Sequence, residues 1–170
     1  MSELQYEMFN DYTGKPTNVA DLDDYMKEYK YNELSLVAYR DHVDTAFKFK
    51  DFGKFPFRVK GLDLNECAMT GSVRIPTQMY RFVMRQNNVS EIVLIPKNLR
   101  HLSIVKCKRL NNLPTIPPTL EQLSIQGTNI SRLDIPDNNN LNYLNVKDCP
   151  MSPILVNEMR QRFPKINIRS

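Results

Sequence analysis

The residues best suited to chemistry are three cysteines and two histidines, spread over a chain of 170 residues. Cys67, Cys107 and Cys149 are 40 and 42 residues apart, so there is no C-x-x-C pair and structural zinc is not expected. His42 stands between two aspartates, which is an arrangement able to orient an imidazole for acid–base work. No nucleophile and no glycine-rich phosphate loop lie near it in the sequence. We therefore expect no enzymatic activity, no metal and no cofactor.

The composition is that of an ordinary globular protein, with 41% hydrophobic and 25% charged residues. The amino terminus lacks a basic region followed by an apolar run, and no stretch approaches the roughly 20 apolar residues of a membrane span. These features predict a cytoplasmic protein that does not enter a membrane. The charge is uneven: residues 1–58 carry 11 acidic and 8 basic residues, whereas residues 59–170 carry 8 acidic and 15 basic residues.

One short pattern returns five times, with apolar residues at positions 1, 4 and 6 of each unit. The units start at residues 59, 79, 99, 120 and 141, so the period is 20 or 21 residues. The ninth position holds Cys67, Asn87, Cys107, Thr128 and Cys149. An Ile-Pro pair precedes each of the later four units, at residues 75, 95, 116 and 135. The second unit fits most loosely, because it places Met79, Phe82 and Met84 at the three apolar positions.

This pattern resembles the leucine-rich repeat, whose motif is L-x-x-L-x-L-x-x-N/C-x-L. The segment from Leu99 to Cys107 matches the first nine positions of that motif. The short period and the phrase from Leu113 to Pro118 resemble the compact repeats of bacterial effector proteins. The resemblance covers about residues 59–151. It implies a protein of a pathogen or phage that acts on a host factor, and so a location in the host cell cytoplasm. Effectors of that group often carry a ubiquitin-ligase domain after the repeats, but residues 152–170 are too few to form one.

The spacing predicts an α/β fold, a solenoid with a parallel concave β-sheet. Each unit places a strand near positions 3 to 7, with positions 4 and 6 on one face and positions 3, 5 and 7 on the other. Strands that recur every 20 residues must lie parallel and be joined by crossovers, which are right-handed by strong preference. Proline in each crossover disfavours helix, so the convex arcs are predicted to be extended or turn-like.

The cysteines follow from the same geometry. All three occupy the ninth position of alternate units, and strands are about 4.8 Å apart, so neighbouring cysteines are separated by roughly 10 Å. A disulfide requires Cα atoms about 4.4–6.8 Å apart. We therefore predict buried, reduced thiols, which suit a cytoplasmic protein.

Segments flanking the repeats are predicted to cover the ends of the solenoid. Residues 1–58 form an amino-terminal cap of a helix plus short strands, in which Thr17 or Asn18 caps the helix and the aromatic segment 47–57 packs on the first repeat. An alternative is that this aromatic segment is itself a contact site. Residues 152–170 form a carboxyl-terminal cap, with a helix begun by Ser152 and Pro153 and a final strand at residues 165–168. Its predicted apolar stripe is Ile154, Leu155, Met159 and Phe163.

The concave sheet is the predicted binding surface, because its outward side chains are free to vary in a repeat fold. The predicted partner-binding residues are Arg81, Arg85, His101, Gln122, Tyr143, Asn145 and Lys147. Arginine, tyrosine and amide side chains with few acids are typical of a surface that recognises protein. Arg81 and Arg85 share a strand face and are placed to bind a carboxylate or a phosphate together. The function predicted is therefore a non-catalytic protein–protein interaction module.

Two other functions fit the same sequence. Nucleic-acid binding would use the basic half through Lys106, Lys108, Arg109 and the two arginines of the sheet, but the sequence has no dense basic stripe. A structural subunit of a larger assembly would show stable self-association. The sequence does not identify a partner, and it leaves the oligomeric state open.

Overall fold

The computed structural model describes residues 59–66, 69–137 and 139–170, together with the backbone of a strand at residues 34–39. The elements in chain order are β1 (Leu34–Tyr39), β2 (Val59–Asn65), β3 (Thr70–Arg74), β4 (Arg81–Arg85), β5 (Asn88–Leu94), β6 (His101–Val105), β7 (Gln122–Ser124), β8 (Tyr143–Asn145), helix α1 (Pro153–Arg162) and β9 (Asn167–Arg169). Strands β1, β2, β4, β6, β7, β8 and β9 form one parallel sheet in that order. Strands β3 and β5 form a second parallel sheet. The described residues are thus a parallel-sheet β-solenoid of about five turns with little helix.

The strands of the large sheet keep one register from repeat to repeat. The residues at position 3 pair in the series Gly61, Arg81, His101, Gln122 and Tyr143, and Asn167 of β9 continues it. No register shift occurs between β2 and β9. Each repeat position therefore forms a row of side chains that runs across the strands, as the prediction of parallel strands near positions 3 to 7 requires.

The core consists of the apolar residues at positions 1, 4 and 6. None of those described is more than 4% exposed, and they are Leu62, Leu64, Met79, Phe82, Met84, Leu99, Leu102, Ile104, Leu120, Leu123, Ile125, Leu141, Leu144 and Val146. The second repeat, which fits the sequence pattern most loosely, is as well buried as the others. Burial of each such side chain stabilises the fold by about 1.5–3 kcal/mol.

The return segments differ along the solenoid. In the first two repeats they are the paired strands β3 and β5, whereas residues 106–121 and 125–142 contain no strand among those described. The isoleucines of the four Ile-Pro pairs are at most 3% exposed, and they are Ile75, Ile95, Ile116 and Ile135. Each return segment therefore contributes one branched side chain to the core just before the chain turns into the next strand.

The turn after each Ile-Pro pair is closed by a hydrogen bond to the proline carbonyl. In three turns the N–H of position 1 donates to that carbonyl three residues earlier, at 3.0–3.1 Å; the pairs are Met79 with Pro76, Leu99 with Pro96, and Leu120 with Pro117. Pro136 and Leu141 are five residues apart, and here the side chain of Asn139 bridges the gap. Its Nδ2 donates to the Pro136 carbonyl at 2.6 Å, and its Oδ1 accepts from the Leu141 N–H at 3.0 Å.

Position 8 of every repeat has a left-handed backbone. The residues and their φ angles are Glu66 (55°), Gln86 (52°), Lys106 (56°), Gly127 (67°) and Asp148 (59°). A left-handed conformation costs a non-glycine residue roughly 1–2 kcal/mol. The turn at the end of each strand therefore requires this conformation whatever the residue, and only Gly127 adopts it without steric cost.

We expect Gly127→Ala to lower the free energy of unfolding by about 1–2 kcal/mol. The added Cβ would lie 3.4 Å from Lys106 Cγ, which is an ordinary contact, so the cost arises from the backbone angle. Lys106→Gly is the matched reverse change and should be neutral or stabilise by less than about 1 kcal/mol, because glycine loses more entropy on folding. Urea denaturation of both variants measures the effect. Equal stability of wild type and Gly127→Ala would contradict the expectation.

The carboxyl-terminal segment is a helix followed by a strand. Ser152 Oγ accepts from the Leu155 N–H at 3.2 Å and Pro153 occupies the first turn, as predicted. Strand β9 extends the large sheet beside β8. The prediction that Ile154 belongs to the apolar stripe is wrong: it is 72% exposed, and Val156 is buried instead. Val156, Met159 and Phe163 are spaced by three and four residues and so lie on one face of the helix.

Within residues 1–58, the structure describes only the backbone of strand β1. The predicted helix that begins near Asn18 and the aromatic segment 47–57 lie outside the described residues. Strand β1 pairs in parallel with β2, with a register irregularity between Leu34 and Ser35. Residues of β1 and β2 that pair with each other, from Ser35 with Gly61 onward, are 26 residues apart in the sequence. The repeat period is 20 or 21 residues, so a search at that period does not find β1.

Candidate binding groove on the sheet

The outer face of the large sheet is the face that carries repeat positions 3, 5 and 7. It contains a groove of about 400 Å³ that extends over β4, β6, β7 and β8. Five of the seven predicted binding residues line it, and they are Arg81, Arg85, His101, Gln122 and Tyr143. These residues come from four strands, and the constant register brings them together.

The shape of the groove follows from side-chain size along two rows. Position 5 carries Val83, Ser103 and Ser124, whose side chains are short and whose backbones pair directly. Position 3 carries longer side chains, from Arg81 in β4 to Tyr143 in β8. The short side chains of position 5 form the floor of the groove, and the longer side chains of position 3 rise beside it. The groove therefore runs across the strands.

Tyr80 is a groove residue that the sequence analysis missed. Its ring packs edge-on against His101, with centroids 5.2 Å apart and planes at 60°. Tyr80 is 37% exposed and lies at position 2, just before β4. The repeat pattern assigns no direction to position 2, so the sequence contained no signal that this ring would reach the groove.

A buried carboxylate lies at the arginine end of the groove. Asp63, at position 5 of β2, pairs with Val83 of β4. Its Oδ2 is 3.8 Å from Arg81 Nη1 and 3.7 Å from Arg85 Nη2. Its side chain is 11% exposed, and its Oδ1 is buried without a hydrogen-bond partner. Burial raises the pKa of Asp63, and attraction by Arg85 and then by Arg81 offsets part of that rise.

The stability of the Asp63→Asn variant, compared with that of wild type, should increase as the pH rises. Since burial raises the pKa of Asp63 in the folded state, the folded protein binds this proton more tightly than the unfolded chain does. The contribution of Asp63 to stability is therefore complete below its unfolded pKa and is lost as the pH rises through the higher folded pKa. The stability of the asparagine variant relative to wild type should therefore increase as the pH rises through the folded pKa of Asp63.

Denaturant unfolding from pH 3 to pH 7 measures the difference between the two proteins. Asp134→Asn is the matched control, because Asp134 is exposed and the change removes the same charge. A fall in the stability of Asp63→Asn relative to wild type as the pH rises would contradict the prediction.

The two remaining predicted residues lie beside the groove rather than in its lining. Asn145 is 5% exposed, and its amide is already bonded: Nδ2 donates to Gln126 Oε1 at 3.2 Å, and Oδ1 accepts from the Lys147 N–H at 3.1 Å. Lys147 is half-buried at position 7. Asn145 therefore stabilises the end of β8.

The thiols that the structure describes are engaged with the backbone. Cys107 is fully buried with Sγ 3.7 Å from the Val105 carbonyl, and burial raises the pKa of its thiol despite a backbone N–H from Asn87. Cys149 Sγ donates to the Ile125 carbonyl at 3.0 Å. Both are free cysteines, and Cys107 is buried as predicted, whereas Cys149 is only partly buried. The described residues contain no group of three or more His, Cys, Asp or Glu placed to hold a metal ion. Cys67 and His42 lie outside those residues.

Three of the bases proposed for nucleic-acid binding are not among the residues that line the groove. Lys106, Lys108 and Arg109 are exposed in the turn that follows β6. They do not line the groove with Arg81 and Arg85.

Comparison of the chain with protein-family models, curated proteins and solved structures gave no match. The residues of the groove are therefore the basis for assigning a function. Among the described residues, helix α1 has ten residues, and no helix has the length and apolar content needed to span a bilayer.

Proposed function

We propose that this protein is a non-catalytic recognition module of the leucine-rich repeat type, which binds a partner protein in the groove on the outer face of its sheet. Residues 1–58 and 152–170 would close the two ends of the solenoid. The observation that carries the proposal is the convergence of Arg81, Arg85, His101, Gln122 and Tyr143 on one groove. Arginine and tyrosine are the residues most enriched where protein interfaces derive their binding energy.

The chemistry of the groove supports recognition rather than catalysis. Its polar groups are two guanidinium groups, one imidazole, one amide, and the hydroxyls of serine and tyrosine. The hydroxyls of Ser103 and Ser124 stand on neighbouring strands at the groove floor, where they are suited to hydrogen-bond a bound chain. The resemblance to effector repeats suggests a host protein in the cytoplasm as the partner.

Affinity purification from lysate tests the proposal. Wild type is compared with the triple variant Arg81→Ala/Arg85→Ala/Tyr143→Ala, at low and at moderate salt. The control is Arg74→Ala/Arg132→Ala, which removes two exposed arginines that do not line the groove. We expect one protein to be retained by wild type and by the control, and to fall at least tenfold with the triple variant.

Two results would refute this function. Retention of the partner by all three proteins would place the contact elsewhere in the chain. Recovery of nucleic acid alone, removed by moderate salt, would instead favour nucleic-acid binding, since phosphate contacts weaken steeply with salt. Circular dichroism of the triple variant verifies that the loss is not due to unfolding.

A further inference from the structure

The guanidinium groups of Arg81 and Arg85 have unused donors. Within the described part of the chain, neither makes a hydrogen bond, and each approaches only Asp63 Oδ2, at 3.8 Å and 3.7 Å. These distances exceed the 2.7–3.2 Å of a typical N–H···O bond by about 0.5 Å or more. The side chains of Arg81 and Arg85 are 25% and 46% exposed, and both line the groove. They are therefore held near each other by a shared carboxylate while their N–H groups remain available.

The geometry of this cluster suits a single anionic group. Arg81 and Arg85 are at positions 3 and 7 of β4, and Asp63 lies opposite Val83, midway between them. Both guanidinium groups therefore point toward the same place on the sheet. A carboxylate that enters the groove there can accept N–H bonds from both, and bonds between charged partners of this kind are about twice as strong as neutral ones.

The net charge of the cluster also limits the ligand. Two guanidinium groups and one ionised carboxylate leave one positive charge, and no other Lys, Arg, Asp or Glu lines the groove. One carboxylate neutralises that charge. A nucleic-acid strand gains affinity from several cationic phosphate contacts in succession, and the rest of the lining supplies no further Lys or Arg. The charge therefore favours an acidic side chain of a protein.

The length of the groove fits a short extended peptide. It spans β4, β6, β7 and β8, which at about 4.8 Å per strand is roughly 14 Å. An extended chain rises about 3.3 Å per residue, so roughly four residues fill this length. Arg81 and Arg85 lie at one end, and the aromatic ring of Tyr143 lies at the other.

We propose that the groove binds an extended segment of the partner protein, with the carboxylate of one Asp or Glu on Arg81 and Arg85 and an apolar or aromatic side chain on Tyr143 about three residues away. This inference rests on the proposed function and specifies its ligand. Asp63 acts as a positioning residue that holds the two arginines, and the serine hydroxyls of the floor hydrogen-bond the backbone of the segment.

Selection from a phage-displayed library of random dodecapeptides tests the proposal on the full chain. Wild type should enrich peptides with an acidic residue three or four positions from an apolar or aromatic one. Arg85→Glu should lose these peptides and favour Lys or Arg at the acidic position, because the charge of the site is reversed. Arg74→Glu makes the same change on β3, outside the groove lining, and should select the wild-type peptides. Circular dichroism confirms that each variant is folded.

Binding of one selected peptide, synthesised and labelled, gives the quantitative test. Arg85→Glu should raise its Kd at least tenfold, and so should replacing the acidic residue of the peptide with its amide. When the two changes are combined, the Kd should rise little more than it does with either change alone, because both changes remove the same contact. Additive losses would overturn the proposal, because they would mean that the two groups do not meet.

Other outcomes separate this inference from the proposed function. Enriched peptides without an acidic residue, or identical peptides from wild type and Arg85→Glu, overturn the carboxylate assignment but leave the groove as a protein-binding surface. Failure to enrich any peptide also overturns the assignment, while the affinity purification still tests the function separately. Displacement of the peptide by a single-stranded oligonucleotide, or sedimentation as a dimer through this face, identifies a different occupant and overturns the proposal.

Discussion

Asn87→Ala should lower the free energy of unfolding by about 3–5 kcal/mol. The side chain of Asn87 is 2% exposed and bonds three backbone groups in the turn between repeats. Its Oδ1 accepts from the Met69 N–H at 3.1 Å, and its Nδ2 donates to the carbonyls of Leu64 and Arg85 at 3.1 Å and 2.8 Å. Each buried backbone group left without a partner costs about 1–3 kcal/mol. The alanine variant leaves the buried Met69 N–H without the partner that Asn87 supplies, and it removes one hydrogen bond each from the carbonyls of Leu64 and Arg85.

Denaturant unfolding measures this loss, with Asn88→Ala as the control. Asn88 is the next residue and is exposed, so the same chemical change should cost less than about 0.5 kcal/mol there. A third variant, Thr128→Val, removes at the same repeat position the hydrogen bond from Oγ1 to the Ile125 carbonyl at 2.8 Å and a weaker contact of Oγ1 with Cys149 Sγ at 3.6 Å. Its loss should be about 1 kcal/mol. If Asn87→Ala proved as mild as Asn88→Ala, the turn would not depend on the asparagine.

Phe82→Ala should destabilise the protein by about 3–5 kcal/mol through the cavity it leaves. Phe82 is fully buried at position 4 of the second repeat, between Leu62 of β2 and Leu102 of β6. In a solenoid each repeat contacts only its neighbours, so no distant side chain is available to fill the space. Thermal or denaturant unfolding gives the value.

Phe82→Leu provides the matched comparison. Leucine occupies position 4 in the four other repeats, where each side chain is at most 1% exposed. We expect this variant to lose less than half as much stability as Phe82→Ala. Equal losses would indicate that the second repeat requires an aromatic ring at this position, so that its departure from the repeat pattern is a specific packing requirement.

The architecture was predictable because the core positions repeat. Residues 4 and 6 of each unit had to face one side of a strand, which their burial confirms, and the pairing of the strands confirms the parallel sheet. Ile154 shows where the same reasoning failed. An apolar residue near the start of a helix fitted a stripe with Leu155, but the direction of the helix on the last repeat, which places Val156 inward, depends on packing that a periodic pattern does not contain.

The groove was predictable in its location but not in its chemistry. The alternation of strand side chains placed Arg81 and Tyr143 on one face, and the structure brings both to the groove lining. Asp63 appeared in the sequence only as one polar residue of the same outward row. Its burial and its position between two arginines depend on which side chains neighbour it across β2 and β4. Tyr80 was not predictable, because a residue before the strand has no assigned direction.

The turn that Asn139 stabilises shows how a repeat of this kind can accept additional residues. Its side chain replaces a main-chain bond across two additional residues, and Tyr143 still pairs in register with Gln122. The two additional residues of this turn are thereby accommodated before the strand begins. Insertions of one or two residues, whether accepted during evolution or added by an engineer, should therefore be tolerated in these turns wherever an amide side chain can restore the bond to proline.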